Sequence, residues 1–467
     1  MKRNCQSIIT RLKTKVDYSA LIKKGAVWKD PSFSYSDDAF YFPKYTNQGQ
    51  PFQNPSTYQI DRPKNRNAKL SLFGNQKQPG PLDIRQGQLG DCYFLASCSA
   101  ITEYQQRVMN AFVTQEFNSA GVIVVRGYIL GQPTDIVVDD TLAFSTSATS
   151  KGELLYDMAP SSNGLWAAYL EKVWAKVMGN FEVIEGGWSE EVMQFLTGAP
   201  TLTYVKDYNG FTSADDVWNV ISNSDNARYI IMAGTPGQGN DQDILSNGLA
   251  KSHAYTLLEA YILKEQNGTI KARLFKMRNP WGKDGKYKGQ YNDNDPIWTQ
   301  GNYASQVGFQ KADDGLFFIT AEEFYDSFDA YSIAFYSDSY QISANTVYGD
   351  NGKGYKFDFS LPSDAEGYMG IDYYSSRMYP PGCKTKNTMG QMIISYNGSM
   401  ILNSRMDTQD DDYYSFLKAK WRAGKYTVFY RTTQWDKNDV KDFGFRTYFP
   451  WKLNISMAPY DCSKIFT

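Results

Sequence analysis

The spacing of apolar residues changes character at Thr197-Gly-Ala-Pro200, and that change restricts what this chain can fold into. Upstream, a helical pattern runs from Cys92 to about Phe112. A second, amphipathic one runs from Leu165 to Phe181, with Trp166, Leu170, Val173 and Val177 at helical spacing. Two strand-like runs, GVIVVRGYIL and DIVVDDTL, lie between them. Downstream, short β-type runs such as RYIIMA, HAYTLLEAYIL, KARLFKM and DGLFFI are separated by Gly, Asn and Asp, which predicts an antiparallel sheet. From about Asp338, six or more further short strands follow at roughly even spacing with few helix signals, the pattern of a β-sandwich. The expected fold class is α+β. Residues 1–66, rich in Pro, Asn, Gln, Tyr and Ser, read as an extended arm. Residues 67–199 read as a helical lobe, 200–337 as a β-rich lobe, and 338–467 as the sandwich.

Composition narrows the function classes. With 42% apolar and 21% charged residues the chain can build globular cores, and a net charge of −2 gives no reason to expect nucleic acid as a partner. Five scattered cysteines do not form a disulfide framework, which favours a reducing compartment. The N-terminal MKRNCQSIITRLKTKVDY has no apolar stretch of signal-peptide length, and no run is long enough to span a bilayer. The expected location is the cytoplasm. There is a single histidine, His253, so any chemistry that needs an imidazole must use it.

The stretch DIRQGQLGDCYFLASCSA places Cys92 where a Gly-Asp turn gives way to an apolar helix. A free cysteine is often a small buried hydrophobe. At a helix N-terminus it is also a candidate nucleophile, because the dipole and a nearby imidazolium favour the thiolate. His253 would supply the imidazole, and Asn279 in RNPWG would orient it, with the Trp281 indole shielding that hydrogen bond. The Cys92 N–H and the Gln86 amide are candidate donors to an oxyanion. Residue types alone leave both readings of Cys92 open.

The wording of the motifs goes further. QGQLGDCYFLAS closely resembles the nucleophile motif of the calpain family of cysteine proteases. WKDPSF, IVVDDTL, AAYLEKVWAKVMGNFEVIEGG, KSHAYTLLEA, MRNPWG and DDGLFFITAEEF resemble further landmarks of that family in order, from about Trp28 to Tyr336. The resemblance implies a papain-like, two-lobed protease core followed by a calpain-type antiparallel β-sandwich, and an endopeptidase acting on protein substrates. It carries the nucleophile onto Cys92, the general base and acid onto His253, the orienting amide onto Asn279, the oxyanion side chain onto Gln86 and the covering indole onto Trp281. Tyr93 stands where the family usually has Trp, a change expected to alter packing more than chemistry. Cys98 reads as core.

The family also implies calcium, bound once in each lobe by carboxylates and carbonyls. Asp83 and Glu171 occupy the matching carboxylate positions of the first site, with the loop NQKQP lending carbonyls. At the second site Asp293 and Asp314 are in place, but Lys286 and Leu316 stand where acidic residues are expected. Weakened or partial calcium dependence is the expectation. No stretch fits an EF-hand loop, so no small-subunit partner is implied and a monomer is expected. The Gly-rich GTPGQGNDQD lacks the Gly-Lys-Ser/Thr ending of a phosphate loop, and the resemblance implies a mobile loop gating the cleft just before His253. The acidic DTQDDDYY reads as a solvated loop, or else as an acidic loop of a calpain-type sandwich. Two rival functions remain: a non-catalytic scaffold built on the same core, and a transglutaminase-type acyl transferase, whose orienting residue is normally Asp rather than Asn.

Overall fold

A computed structural model describes residue 5 and residues 12–34, 39, 57–74, 77–147, 151–154, 164–208, 211–237, 242–380, 382–384, 388–408 and 414–466. The acidic run 409–413, loop residues 75–76 and 238–241, and most of 35–56 lie outside them. Among the described residues no helix is long and apolar enough to cross a membrane.

Helices dominate the first part. After the short helix α1 (Tyr18–Lys24), helix α2 (Cys92–Ile101) is buried along its whole length except at Cys92. It stops short of the helix expected through Phe112. The Thr102 amide and hydroxyl both turn back onto the Ser99 carbonyl, at 3.1 and 2.6 Å, and a separate helix α3 (Gln105–Ala111) follows. Helix α4 (Trp166–Met178) stops at Gly179. Its sequence reads as amphipathic, yet all thirteen of its residues are buried, Glu171, Lys172 and Lys176 included. Burial of the two lysines is offset by dense bonding. Lys172 Nζ donates to Asp139 Oδ1 at 2.7 Å and to the Thr141 carbonyl at 2.7 Å. Lys176 Nζ donates to Asp30 Oδ2 and the Val137 carbonyl, both at 2.6 Å. Helix α5 (Ser189–Thr197) closes this part and is capped by Gly198, whose φ is 64°.

The Asp30–Lys176 pair ties the N-terminal segment, read from sequence as an extended arm with few regular elements, to the helical part. Helix α1 is capped by Asp17 through the Ala20 amide, Asp30 is buried, and strand β1 (Tyr58–Asp61) pairs with β4 (Leu142–Ser145). The segment supplies a carboxylate to a buried cation and covers the edge of β4. Strands β2 (Val122–Ile129) and β3 (Gln132–Asp139) form a hairpin on a two-residue loop, Leu130-Gly131, both with positive φ, the geometry of a type I′ turn.

Beyond Gly198 the chain builds a six-stranded antiparallel sheet in the order β5-β10-β6-β7-β8-β9. Its strands are β5 (Thr201–Val205), β6 (Ile230–Gly234), β7 (Ala254–Lys264), β8 (Ile270–Arg278), β9 (Leu316–Thr320) and β10 (Ala330–Ala334). Two helices pack on it, α6 (Ala214–Asn226), capped by Ser213, and α7 (Ala321–Ser327), capped by Thr320. From Gln341 onward a four-stranded and a five-stranded antiparallel sheet share one core, in which Val347, Met369 and Phe445 of one meet Phe357, Ile394 and Val428 of the other.

Cys5 and Cys383 form one disulfide with Cα atoms 5.5 Å apart, a pairing that the sequence reading did not name. A separation of 378 residues gives no local signal for it. Cys98 is fully buried, as is Cys462, whose thiol burial pushes up to about 11.

Candidate active site

The sheet register brings His253 and Asn279 together. Strands β7 and β8 pair Thr256 with Arg278, and continuing that register sets His253, just before β7, beside the segment that follows β8. His253 is held in the ladder by Thr235: the Thr235 amide donates to the His253 carbonyl at 3.0 Å, and the His253 amide to Thr235 Oγ1 at 3.1 Å. Asn279 opens a β-turn with Pro280 at its second position, closed by the Gly282 amide on the Asn279 carbonyl at 3.0 Å. The Asn279 amide donates to the Gly315 carbonyl at 2.8 Å. A Cβ at Gly315 would lie 2.7 Å from the Asn279 carbonyl oxygen, so glycine is required there.

His253 Nε2 lies 3.0 Å from Asn279 Oδ1, and both side chains are buried. The Trp281 backbone N–H donates to the same oxygen at 3.0 Å, which fixes the amide with its oxygen towards the ring. Nε2 therefore carries the hydrogen, and Nδ1 is the nitrogen that can accept a proton. The Trp281 indole packs against the imidazole with centroids 4.7 Å apart, and Tyr255 meets it edge-on at 5.0 Å. With both side chains buried and two rings packed on the imidazole, water has little access to the Nε2 bond.

Cys92 is the first residue of α2 and the only one in that helix that is not buried. The first intrahelical acceptor is the Asp91 carbonyl, which takes the Phe94 and Leu95 amides at 2.9 and 3.1 Å. The Cys92 N–H thus belongs to the positive end of the helix, where a thiolate or an oxyanion is favoured. Gln86 Nε2 donates one hydrogen to the Leu89 carbonyl at 2.8 Å and has a second to give. Gln86, Asn279, Trp281 and Tyr255 line one cavity of about 590 Å³.

Among the described residues, hydrogen bonds join the segment carrying Cys92 to the sheet carrying His253. Gln86 N–H donates to the Pro280 carbonyl at 2.8 Å, and Arg278 Nη2 to the Ile84 carbonyl at 2.5 Å. Thr256 Oγ1 donates to the Ala96 carbonyl at 2.7 Å. Thr256 lies three residues after His253, and Ala96 four after Cys92. Nothing in the motifs pointed to Thr256 or Arg278, because their partners lie 160 and 194 residues away.

Tyr93, next to the nucleophile position, is buried, and its hydroxyl accepts the Trp174 indole N–H at 3.0 Å.

The carboxylates named for calcium fall into two settings. Asp83 and Glu171 are both buried. Asp83 Oδ2 accepts from Gly80 N–H at 2.8 Å and from the indole of Trp166, the first residue of the helix that carries Glu171. Two buried carboxylates on adjoining elements suit a hard cation. In the second setting Asp293 Oδ2 accepts the Ala312 amide and Asp314 Oδ1 the Leu316 amide, both at 2.9 Å. Sequence reading missed two neighbours. Asp284 Oδ1 accepts the Gly315 amide at 3.0 Å, and Asp313 Oδ1 takes the amides of Asp284 and Gly285. Burial, then the charges of Asp293, Asp313 and Asp314, push Asp284 up to about 6. Lys286 turns to the indole, its Nζ 5.5 Å from the Trp281 ring centroid. Among the described residues no three His, Cys, Asp or Glu side chains converge as metal ligands. Each of these four aspartates accepts a hydrogen bond from a backbone amide.

A family model described as calpain family cysteine protease matches residues 28–334. The chain is 29% identical over 322 residues to calpain clp-1 of Caenorhabditis elegans, covering 66% of this chain and 37% of that protein. It is 26% identical over 330 residues to calpain-A of Drosophila melanogaster, covering 68% and 37%. To the calpain-type cysteine protease DEK1 of Zea mays it is 29% identical over 247 residues, covering 52% and 11%. The matched stretch is thus well under half the length of each of these relatives.

Proposed function

Because the chain belongs to the calpain family of cysteine proteases, we propose that it is a cysteine endopeptidase with a papain-like core and a C-terminal β-sandwich, cleaving peptide bonds of protein substrates through Cys92, His253 and Asn279. The observation that carries this reading is the double use of Asn279 Oδ1, which takes both His253 Nε2 and the Trp281 N–H. That bond selects the tautomer in which Nδ1 can take the thiol proton.

In the proposed reaction the Cys92 thiolate attacks the scissile carbonyl carbon. The oxygen, now negative, is held by the Cys92 N–H and the second amide hydrogen of Gln86. Imidazolium Nδ1–H protonates the leaving amine, and the acyl group stays on sulfur as a thioester. Water, deprotonated by the same Nδ1, then hydrolyses the thioester and restores the thiol. Throughout, Asn279 holds the ring in register, and its bond to Nε2 strengthens when the imidazole is charged.

Calcium enters this proposal at Asp83 and Glu171, where a bound ion would supply charge neutralisation. The Asp284–Asp293–Asp313–Asp314 group is not assigned one. Purified Cys92→Ala should fold as the wild type does and fail to cleave casein. Cleavage by that variant at the wild-type rate would end the proposal.

A further inference from the structure

Arg377 lies outside the matched protease region, in the short turn Ser376–Met378 that follows β13 (Ala365–Asp372) of the C-terminal sheets. Its guanidinium reaches into the helical part and is engaged on every side. Nη1 pairs with Glu191 Oε2 on α5, and Nη2 donates to the carbonyls of Val183 at 2.7 Å and Gly186 at 2.5 Å. Glu191 is itself buried, and its other oxygen accepts from Ser375 Oγ at 2.7 Å.

These contacts lead to both sides of Cys92, to Gly90 through Gly186 and to Tyr93 directly. On the upstream side, Gly186, whose carbonyl Arg377 holds, donates its own N–H to the Gly90 carbonyl at 2.8 Å, two residues before Cys92. On the downstream side, the guanidinium lies 5.6 Å from the centroid of the Tyr93 ring. Gly187 is wedged between the two. A Cβ there would stand 2.3 Å from Arg377 Nη1 and 2.5 Å from the Tyr93 ring, so the loop fits only because it carries no side chain. An aromatic ring near a guanidinium is attracted through its quadrupole, and the planar group engages the Glu191 carboxylate through Nη1 while Nη2 holds both carbonyls, an arrangement that a point-charge ammonium cannot make at two separate nitrogens.

We infer that Arg377 is a positioning residue for the Cys92 nucleophile, through which the C-terminal sheets hold the turn that presents the thiol. The inference rests on the proteolytic reading. It makes the C-terminal part a component of the catalytic half-site. With Arg377 lost, Gly186 and Tyr93 are released together, the start of α2 loosens, and the sulfur samples positions away from the helix dipole and from His253 Nδ1.

The test uses the full chain with the wild type, Arg377→Met, Arg377→Lys and Arg446→Met. Arg446 crosses the same interface, donating to the Gly198 carbonyl and to Gln194, but touches neither neighbour of Cys92. The readouts are kcat and KM on a fluorogenic peptide, the pH profile of iodoacetamide alkylation at Cys92 by peptide mapping, and thermal unfolding. Arg377→Met should lower kcat at least tenfold with KM within threefold, and shift the alkylation inflection to higher pH. Arg377→Lys keeps a charge opposite Glu191, so it should fold and fall between Met and wild type. Arg446→Met should unfold at lower temperature with an unchanged alkylation profile. The inference is overturned if folded Arg377→Met and Arg377→Lys keep the wild-type profile and kcat, or if Arg446→Met shifts the profile as far as Arg377→Met does. A wild-type Cys92 that alkylates like an ordinary thiol, with no cleavage, overturns the proteolytic reading itself and this inference with it.

Discussion

Replacing Asn279 with alanine removes one oxygen and leaves two donors without their acceptor, His253 Nε2–H and the Trp281 N–H. The imidazole is only 2% exposed and is flanked by Trp281 and Tyr255, so water has poor access to replace the lost partner. A hydrogen bond to a charged group is worth about 1.5–3 kcal/mol. The His253 bond becomes one of these only once the ring is protonated, so the loss falls on the charged thiolate–imidazolium state and on the transition state. At about 1.4 kcal/mol per tenfold in rate, the expected fall in kcat is roughly 10- to 150-fold. KM should change little, because Asn279 is spent on the imidazole rather than on substrate binding. The assay is steady-state cleavage of a fluorogenic peptide by wild type and Asn279→Ala, with circular dichroism and a thermal melt to show that both are folded. A folded variant whose kcat stays within threefold of wild type would refute the argument that this bond sets the working tautomer.

Three further outcomes follow from the same coordinates. Asp30→Ala removes the carboxylate that neutralises the buried Lys176 ammonium, and should cost about 3–5 kcal/mol, read from urea unfolding. A loss under about 1 kcal/mol would mean that the N-terminal segment is not part of the folded helical unit. Glu103 is pushed up to about 7, first by burial and then by the charges of Asp225 and Glu259, with Arg107 opposing. A raised folded-state value means the native state holds its proton more tightly, so this group's contribution is present at low pH and is lost as pH rises from about 4.3, the unfolded value, through about 7. Glu103→Gln should therefore match the wild-type melting temperature near pH 4 and exceed it above pH 7, and coincident curves at pH 8 would contradict this. Peptidase rate measured against free calcium should show activity in chelator and a response of severalfold that Asp83→Asn removes. Steep, cooperative activation from zero at micromolar calcium would overturn the assignment of the four-aspartate group to loop capping.

Much of the candidate site's geometry is written in short-range rules. A Gly-Asp turn before an apolar run starts a helix at Cys92, and Asn-Pro-Trp-Gly is a turn with proline at its favoured second position. Alternating apolar residues mark β7 and β8, and their pairing sets His253 beside Asn279. Other elements were hidden for stated reasons. The β2–β3 turn, Leu130-Gly131, carries none of the usual Asn-Gly or Asp-Gly signal, yet it adopts positive φ at both residues. The α4 pattern shows a polar face only because periodicity counts Lys172 and Lys176 as solvent-facing, whereas each has a carboxylate waiting in the interior. Asp284 and Asp313 could have been noticed as acids close to Trp281, but their roles as loop caps depend on which amides the fold turns towards them.

The sequence by itself determined the starts of α2 and α4 and the apolar runs that become β6 to β9, which residue types could act as nucleophile, base and orienting amide, and that one histidine must serve. Those properties depend on neighbours within a few positions, where propensity, capping and turn chemistry operate. Tertiary structure alone decided which distant groups meet: Cys5 with Cys383, Asp30 with Lys176, Thr256 with the Ala96 carbonyl, and Arg377 with the turn behind Cys92. Burial makes an unpaired charge or donor expensive, so these groups are matched by whatever partner the packed chain brings within reach, and a partner more than a hundred residues away leaves no local trace.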